Sequence, residues 1–245
     1  MNFDLFIELD KFNHISFNEE LHEYKINNQK CISTTTLLNN YKKPFDTENI
    51  AWRYAVKNLK SVDEVIEEWE DKKNEASSKG THLHRYAELK FACKEYDVPE
   101  ESLPLILKQY IDKFYDDSIG RLIPIKSEMI VGDKDLKLCG MIDQLFYNVK
   151  EKEIQIWDYK TNKEIRTFSQ YKNKMTNGLN HLQECEYNTY SLQLGIYKKI
   201  IERNTNLKLG KSYICWINDK NSSYKAFQMA EMDKEVDLII KNIKQ

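Results

Sequence analysis

Two aspartates and a lysine carry the most chemistry per residue in this chain. Asp143 lies within GMIDQL, and Asp158 and Lys160 lie within IWDYKT, fifteen residues further on. Strict alternation along an extended segment places Asp158 and Lys160 on one face and Trp157 and Tyr159 on the other. If the two segments pair as neighbouring strands, the carboxylates converge at one end of a sheet. Converging carboxylates repel unless they are protonated or bridged by a cation. Hard oxygen donors of this kind suit Mg²⁺ or Mn²⁺. A lysine two residues on adds a positive charge aimed at the same point, where it can orient a water or offset charge developing on a phosphate.

Other residues fall in a suggestive order around this pair. In GTHLHRYAE, His84 and Glu88 stand four apart, one above the other on a helix, and Gly80 allows that helix a close approach to its neighbour. Glu128, in KSEMIV, sits one predicted strand before Asp143. Gln193 and Tyr197 repeat the four-residue spacing on a later helix. Each piece alone is common in purely structural settings. The ordered set G-x-x-x-H-x-x-x-E, E, G-x-x-D, D-Y-K-T, Q-x-x-x-Y is far more specific.

The elements that must position these groups can be read from hydrophobic period and turn signals. HISF and LHEYKI alternate as a hairpin, Lys30–Ser33 extends a third short strand, and Ser33 or Thr34 caps a short helix. The pattern is helical from Asp46 to about Ile119, with breaks that predict one helix through SVDEVIEEWEDKK, another over about 75–93 and a third over about 99–117. Val62, Val65, Ile66 and Trp69 share one face of the first, and its acids form a solvated face. Three consecutive strands follow, RLIPIKSEMIV, KLCGMIDQLFYNV and EIQIWDY. A polar loop runs to about His181, and a long helix, a hairpin and an amphipathic C-terminal helix close the chain. The order predicts one α/β domain over 1–245, with 1–74 a hairpin and helical elaboration and 75–245 the core.

The chain has 245 residues, 41% of them hydrophobic and 12% aromatic, ample for a packed core. Seven glycines and four prolines argue against turn-dense all-β or collagen-like architectures. The apolar runs are too short to span a membrane, and the acidic start MNFDLFIELD does not read as a signal peptide. The expectation is a soluble, cytoplasmic protein that makes no membrane contact. Five scattered cysteines without a C-x-x-C pair read as buried hydrophobes rather than a disulfide framework or zinc knuckle. The formal charge of −2 does not advertise a nucleic-acid binder. Locally, Lys160, Lys163, Arg166, Lys172 and Lys174 outnumber two acids over 158–174. Lys42, Lys43, Arg53, Lys57 and Lys60 form a second basic region around Trp52 and Tyr54, a mixture suited to single strands.

The motif set resembles the PD-(D/E)XK nuclease superfamily, in its RecB-like branch, over roughly 75–217. The H-x-Y and S-x-T-x-L segment over His22–Leu38 is similar to phage and mitochondrial-genome-maintenance exonucleases of that branch. The resemblance implies a restriction-endonuclease-like mixed sheet flanked by helices. It implies a metal, Mg²⁺ or Mn²⁺, held by Asp143, Asp158, the Tyr159 carbonyl and His84. Lys160 becomes the catalytic lysine, and Gln193 and Tyr197 hold the lysine and the strand. Glu88, counted with Asp143, Asp158 and Lys160 as catalytic, and Glu128 stand behind the metal ligands or hold a second metal, and Thr161, Lys163 and Arg166 contact nucleic acid. Asp158 stands where many relatives carry glutamate. The cysteines lack the spacing of the iron–sulfur cluster found in some relatives, so no cluster is expected. The implied activity is a metal-dependent DNA exonuclease acting on single-stranded ends in recombination, repair or replication, with a helicase or recombination protein as a possible partner. A strand-threading arch over 46–75 is implied in the same way. A structure-specific endonuclease or resolvase, and a non-catalytic nucleic-acid-binding or assembly protein, stand beside it as readings of the same residues.

Overall fold

The computed structural model describes residues 3–93 and 103–243. Helix α1 (Phe3–Asp10) precedes three short antiparallel strands, β1 (Ile15–Asn18), β2 (Glu23–Ile26) and β3 (Gln29–Ser33). Four helices follow: α2 (Thr34–Asn39), α3 (Thr47–Asn58), α4 (Val62–Phe91) and α5 (Leu105–Ser118). Then come β4 (Leu122–Asp133), β5 (Leu138–Asn148), β6 (Glu153–Lys160), α6 (Glu186–Asn204), β7 (Leu209–Trp216), β8 (Lys225–Gln228) and α7 (Asp233–Ile243). The eight strands form one mixed sheet in the order β1-β2-β3-β5-β6-β7-β8, with β4 on β5. The expected mixed sheet flanked by helices and its N-terminal hairpin are present.

The pairing of β5 sets the shape of the molecule. β4 occupies one edge of β5 over its whole length, from Leu122↔Asn148 to Asp133↔Leu138. β3 and β6 must therefore share the other edge. β3 pairs in parallel with Leu138 and Cys139, and β6 pairs antiparallel with 144–148. Past Trp157, β6 runs on beside β7, matching Asp158 to Ile214 and Lys160 to Trp216. A gap is left along that edge of β5 between Gly140 and Asp143.

Helices cover the two faces. One core cluster joins the sheet to α1, α2, α6 and α7 through residues such as Leu9, Leu38, Ile142, Ile156, Ile200 and Ile239. The other joins α4 and α5 to the sheet through Leu83, Ala87, Ile111, Phe114, Phe146, Trp157 and Tyr159. The alternation expected for β6 holds, since Trp157 and Tyr159 face α4 and α5.

Two elements differ from the sequence expectation. α1 has no sequence counterpart; Leu5 and Leu9, four apart, are buried with Phe12, and this face is too short to stand out as a period. The two helices predicted across 61–93 are one helix. It opens with a capping box in which Ser61 accepts from the Glu64 amide while Glu64 reaches back to the Ser61 amide. The apolar pattern lapses over 71–78, where every residue is exposed, but no proline interrupts the backbone. The third helix is described from Leu105; the predicted start near Pro99 lies outside the described residues. Cys93 is exposed, unlike Cys31, Cys139, Cys185 and Cys215, which are buried, and all five are free.

Asp133, the last residue of β4, ties the sheet to the end of α6. Its carboxylate is 3% exposed and accepts from Arg203 Nε at 2.8 Å, Asn204 Nδ2 at 3.3 Å and the Leu136 amide at 3.0 Å. Burial opposes its charge, but these donors together hold its pKa below the usual value. The stabilisation is therefore complete above the ordinary aspartate range and is lost as pH falls through the depressed value. Asp133→Ala should cost about 2–3 kcal/mol in urea unfolding at pH 7. The difference from the wild type should shrink as the pH is taken below 3.8.

Candidate active site

The gap beside β5 opens into a cleft of about 860 Å³. Its lining includes His84, Glu88, Glu128, Asp143, Asp158, Lys160, Gln193 and Tyr197, so eight of the sequence-predicted residues meet in one place. The geometry follows from where β5 and β6 part. The ladder ends at Gln144↔Trp157. One step further, the Tyr159 amide donates to Asp143 Oδ2 at 2.7 Å, so a side chain takes the hydrogen bond that a strand partner would have taken. That bond fixes Asp143, which is 6% exposed, against the start of the D-Y-K-T segment.

His84 enters from α4. Its Nε2 lies 3.1 Å from the Tyr159 carbonyl oxygen, and its Nδ1 lies 3.5 Å from Asp143 Oδ2 and 3.8 Å from Glu128 Oε1. Glu128 stands opposite Asp143 on β4, between the pairs Ser127↔Gln144 and Met129↔Ile142. Its φ of 45° is a left-handed conformation that non-glycine residues seldom adopt within a strand. Strain of this kind persists where the surroundings dictate a side chain's aim. Glu88 lies one turn beyond His84 and pairs with Arg85.

Asp158 and Lys160 point from β6 toward α6 and form an ion pair. Lys160 Nζ also sits 5.2 Å from the centre of the Tyr190 ring, a cation–π arrangement. Tyr190 is itself anchored: its hydroxyl donates to Asn162 Oδ1 at 2.7 Å, and the Asn162 carbonyl accepts from Trp216 Nε1 and Asn218 Nδ2. Tyr190, on α6, is a site residue that the sequence analysis did not single out. Its signal was its place three residues before Gln193, on the face that carries the motif. Gln193 donates to the Tyr197 hydroxyl at 3.0 Å. The Tyr197 ring lies against Gly140, where an added Cβ would stand 2.2 Å from the ring, so only glycine fits there.

Thr161, Lys163 and Arg166 are not among the lining residues. Arg166 is engaged by Glu164 and Glu186, which offsets much of the basic character read over 158–174. Gly80 does not mark a close approach of two backbones: its Cβ position is 4.0 Å from the Thr161 hydroxyl, ordinary contact. In the second basic region, Lys60 is paired with Glu68, while Trp52 is 57% exposed.

The family model of the PD-(D/E)XK nuclease superfamily matches residues 57–245. The chain belongs to this superfamily. No curated protein sequence matches the chain. Among solved structures, one titled "Crystal structure of SSO0001" is similar over 100% of this chain and 85% of that one, at 15% identity and a TM-score of 0.38.

PD-(D/E)XK nucleases typically use a divalent metal, and the charges in this cleft can be tested for fit. Among the described residues, His84, Glu128 and Asp143 offer ligand atoms within 4.8 Å of one another. Glu128 Oε1 is buried with no hydrogen-bond partner. Burial, followed by the carboxylates of Asp143, Glu88 and Asp158, pushes the Glu128 pKa up to about 8. Burial and Asp143 push Asp158 up to about 6, even with Lys160 against it. Burial opposes the Lys160 charge, but Asp158 and then Asp143 outweigh it and raise the pKa, so the side chain stays an ammonium. One ammonium cannot satisfy this many buried carboxylates. Oxygen donors with one imidazole and an unpartnered carboxylate oxygen fit a hard divalent cation.

A carboxyl whose folded pKa lies above its unfolded value costs stability once the unfolded chain ionises. In chelator, stability should therefore fall as pH rises from 4.5 to about 8. Glu128→Gln should flatten that fall and melt several degrees above the wild type at pH 8. Added Mg²⁺ should raise the wild-type melting temperature and leave Asp143→Asn unmoved, read by thermal unfolding.

Proposed function

We propose that the protein is a metal-dependent DNA exonuclease that hydrolyses phosphodiesters from single-stranded ends, in recombination, repair or replication. The observation that carries this reading is the meeting of Asp143, Asp158 and Lys160 where β5 and β6 separate, inside a chain of nuclease family. Closing the ladder asks only for an acceptor at Asp143; a second buried acid and a lysine facing it suit a reaction at a phosphate.

In this reading Asp143, Asp158, Glu128, His84 and the Tyr159 carbonyl would hold Mg²⁺ or Mn²⁺, which when bound would supply Lewis-acid stabilisation of the phosphate oxygens and a more acidic attacking water. Lys160, held charged by Asp158, orients the nucleophile and offsets negative charge on the phosphate; it does not serve as the base. Tyr190 confines the lysine from one side and Asp158 from the other, so the ammonium need not reorganise during the reaction. Gln193 and Tyr197 act as one hydrogen-bonded unit in the cleft wall. Glu88 keeps Arg85 at the cleft, where a phosphate can exchange for the carboxylate. Thr161, Lys163 and Arg166 lie along the loop leaving Lys160, where a strand emerging from the cleft meets them.

Degradation of end-labelled linear single-stranded DNA and closed circular DNA, with Mg²⁺, Mn²⁺ or EDTA, tests the proposal. Metal-dependent loss of the linear strand alone is the expected result. Cleavage of the circle favours an endonuclease, and intact binding without cleavage favours a non-catalytic role. Asp158→Ala and Lys160→Ala should each lower the rate by at least about 10²-fold while melting cooperatively. Tyr190→Leu should lower the rate by about tenfold, and Tyr190→Phe, which keeps the ring, should retain most of it.

A further inference from the structure

The cleft is larger than a metal and one phosphate need, and one of its walls has no role in the chemistry above. That wall comes from the N-terminal hairpin, whose Phe17, Glu19, His22 and Tyr24 line the same cleft as Asp143 and Lys160. Its aromatic rings are ordered among themselves. Phe17 stacks on Tyr24 with ring centres 4.4 Å apart and an interplanar angle of 28°. His22 meets Phe17 edge-on at 5.3 Å. Tyr24 is buried, Phe17 is half-buried and His22 is exposed, so the group runs from the floor of the cleft to its mouth.

The turn that carries His22 is built in detail for an exposed residue. Asn18 Oδ1 accepts from the Leu21 amide at 2.8 Å, the His22 amide donates to the Glu19 carbonyl, and His22 takes a φ of 50°. Among the described residues the imidazole makes ring contacts and no hydrogen bond. It is exposed and only edges the rings of Phe17 and Tyr24, yet a left-handed backbone holds it at the cleft mouth. Nor is this wall made for phosphate. Its hairpin residues include no lysine or arginine, and Glu19 is acidic. The cations of the cleft, Lys160 and Arg85, come from β6 and α4.

We propose that the exposed His22 ring, steadied edge-on by Phe17, forms a nucleobase-stacking platform that receives an unpaired base of the strand whose phosphate lies at Asp143 and Lys160. The assignment rests on the nuclease reading above and deepens it, because it names what makes the substrate single-stranded. A base can lie against these rings only when its own face is free, and duplex stacking covers that face. Aromatic faces accept any base, so the platform imposes a strand requirement without a sequence preference.

The test compares end-labelled linear single strands of ordinary DNA with strands whose terminal nucleotides lack bases, in Mg²⁺. His22→Asn removes the ring while asparagine tolerates the left-handed backbone. Phe17→Leu keeps apolar bulk on the core side. Each variant should raise KM on ordinary DNA about tenfold or more, with the larger share of the loss in KM rather than kcat. The wild type should lose a similar factor on the baseless strand, and the variants should lose little further on it. Wild-type KM in both variants on ordinary DNA, or full additivity of the variant and baseless losses, would overturn the platform. Anisotropy of the same labelled strands gives the comparison without turnover. A wild type that binds with base dependence but cleaves nothing therefore removes the nuclease reading and keeps the platform, and binding indifferent to the bases removes the platform.

Discussion

A β-strand has two edges, and β5 is asked to serve three neighbours. β4 takes one edge entire, so β3 and β6 divide the other and leave four residues between them without a strand partner on that edge. Backbone polar groups left this way must find other partners. Here the Tyr159 amide turns to the Asp143 carboxylate, and the His84 imidazole meets the Tyr159 carbonyl. The groups that close the broken ladder are the same groups that converge on the cleft. Structural satisfaction of the backbone and placement of Asp143 and His84 in the acidic cluster thus rest on the same contacts.

The cluster so formed is unstable by itself. Burial and mutual repulsion raise Glu128 and Asp158 above their ordinary pKa values, and the single ammonium of Lys160 is already committed to Asp158 and the Tyr190 ring. The fold tolerates this because the surrounding shell is tightly made. Tyr197 rests on a glycine that no larger residue can replace, and Tyr190 is fixed through Asn162 to the end of β7. Stability lost at the centre is regained from the two core clusters, one on each face of the sheet.

Much of this was legible in the residues. Alternation placed Asp158 and Lys160 together because a strand's period is two, and no tertiary fact can change it. The i, i+4 spacing of His84 and Glu88 was legible for the same reason, since a helix repeats near that interval. The convergence of Asp143 with Asp158 needed the further assumption that their strands pair, and the chain order made that pairing the natural one. Tyr190 was less accessible: a ring under an ammonium depends on how α6 is rotated against β6, which spacing does not encode. Arg166 misled because counting charges along the chain cannot show that Glu186 waits for it at the start of α6. The single long α4 was missed because apolar periodicity reports packing, and over 71–78 every residue is exposed.

That bare stretch divides α4 into two regions held by unrelated contacts. Its first turns belong with α3 in a small cluster of Ala51, Ala55 and Val65, edged by Val62, Ile66 and Trp69. Its last turns, with Leu83, Ala87 and Phe91, belong to the sheet. About two turns of helix, exposed among the described residues, join them. The helix can therefore fray from its N-terminal end, and release α3 with it, at a free energy well below that of global unfolding, while His84 keeps its place over the gap in the sheet.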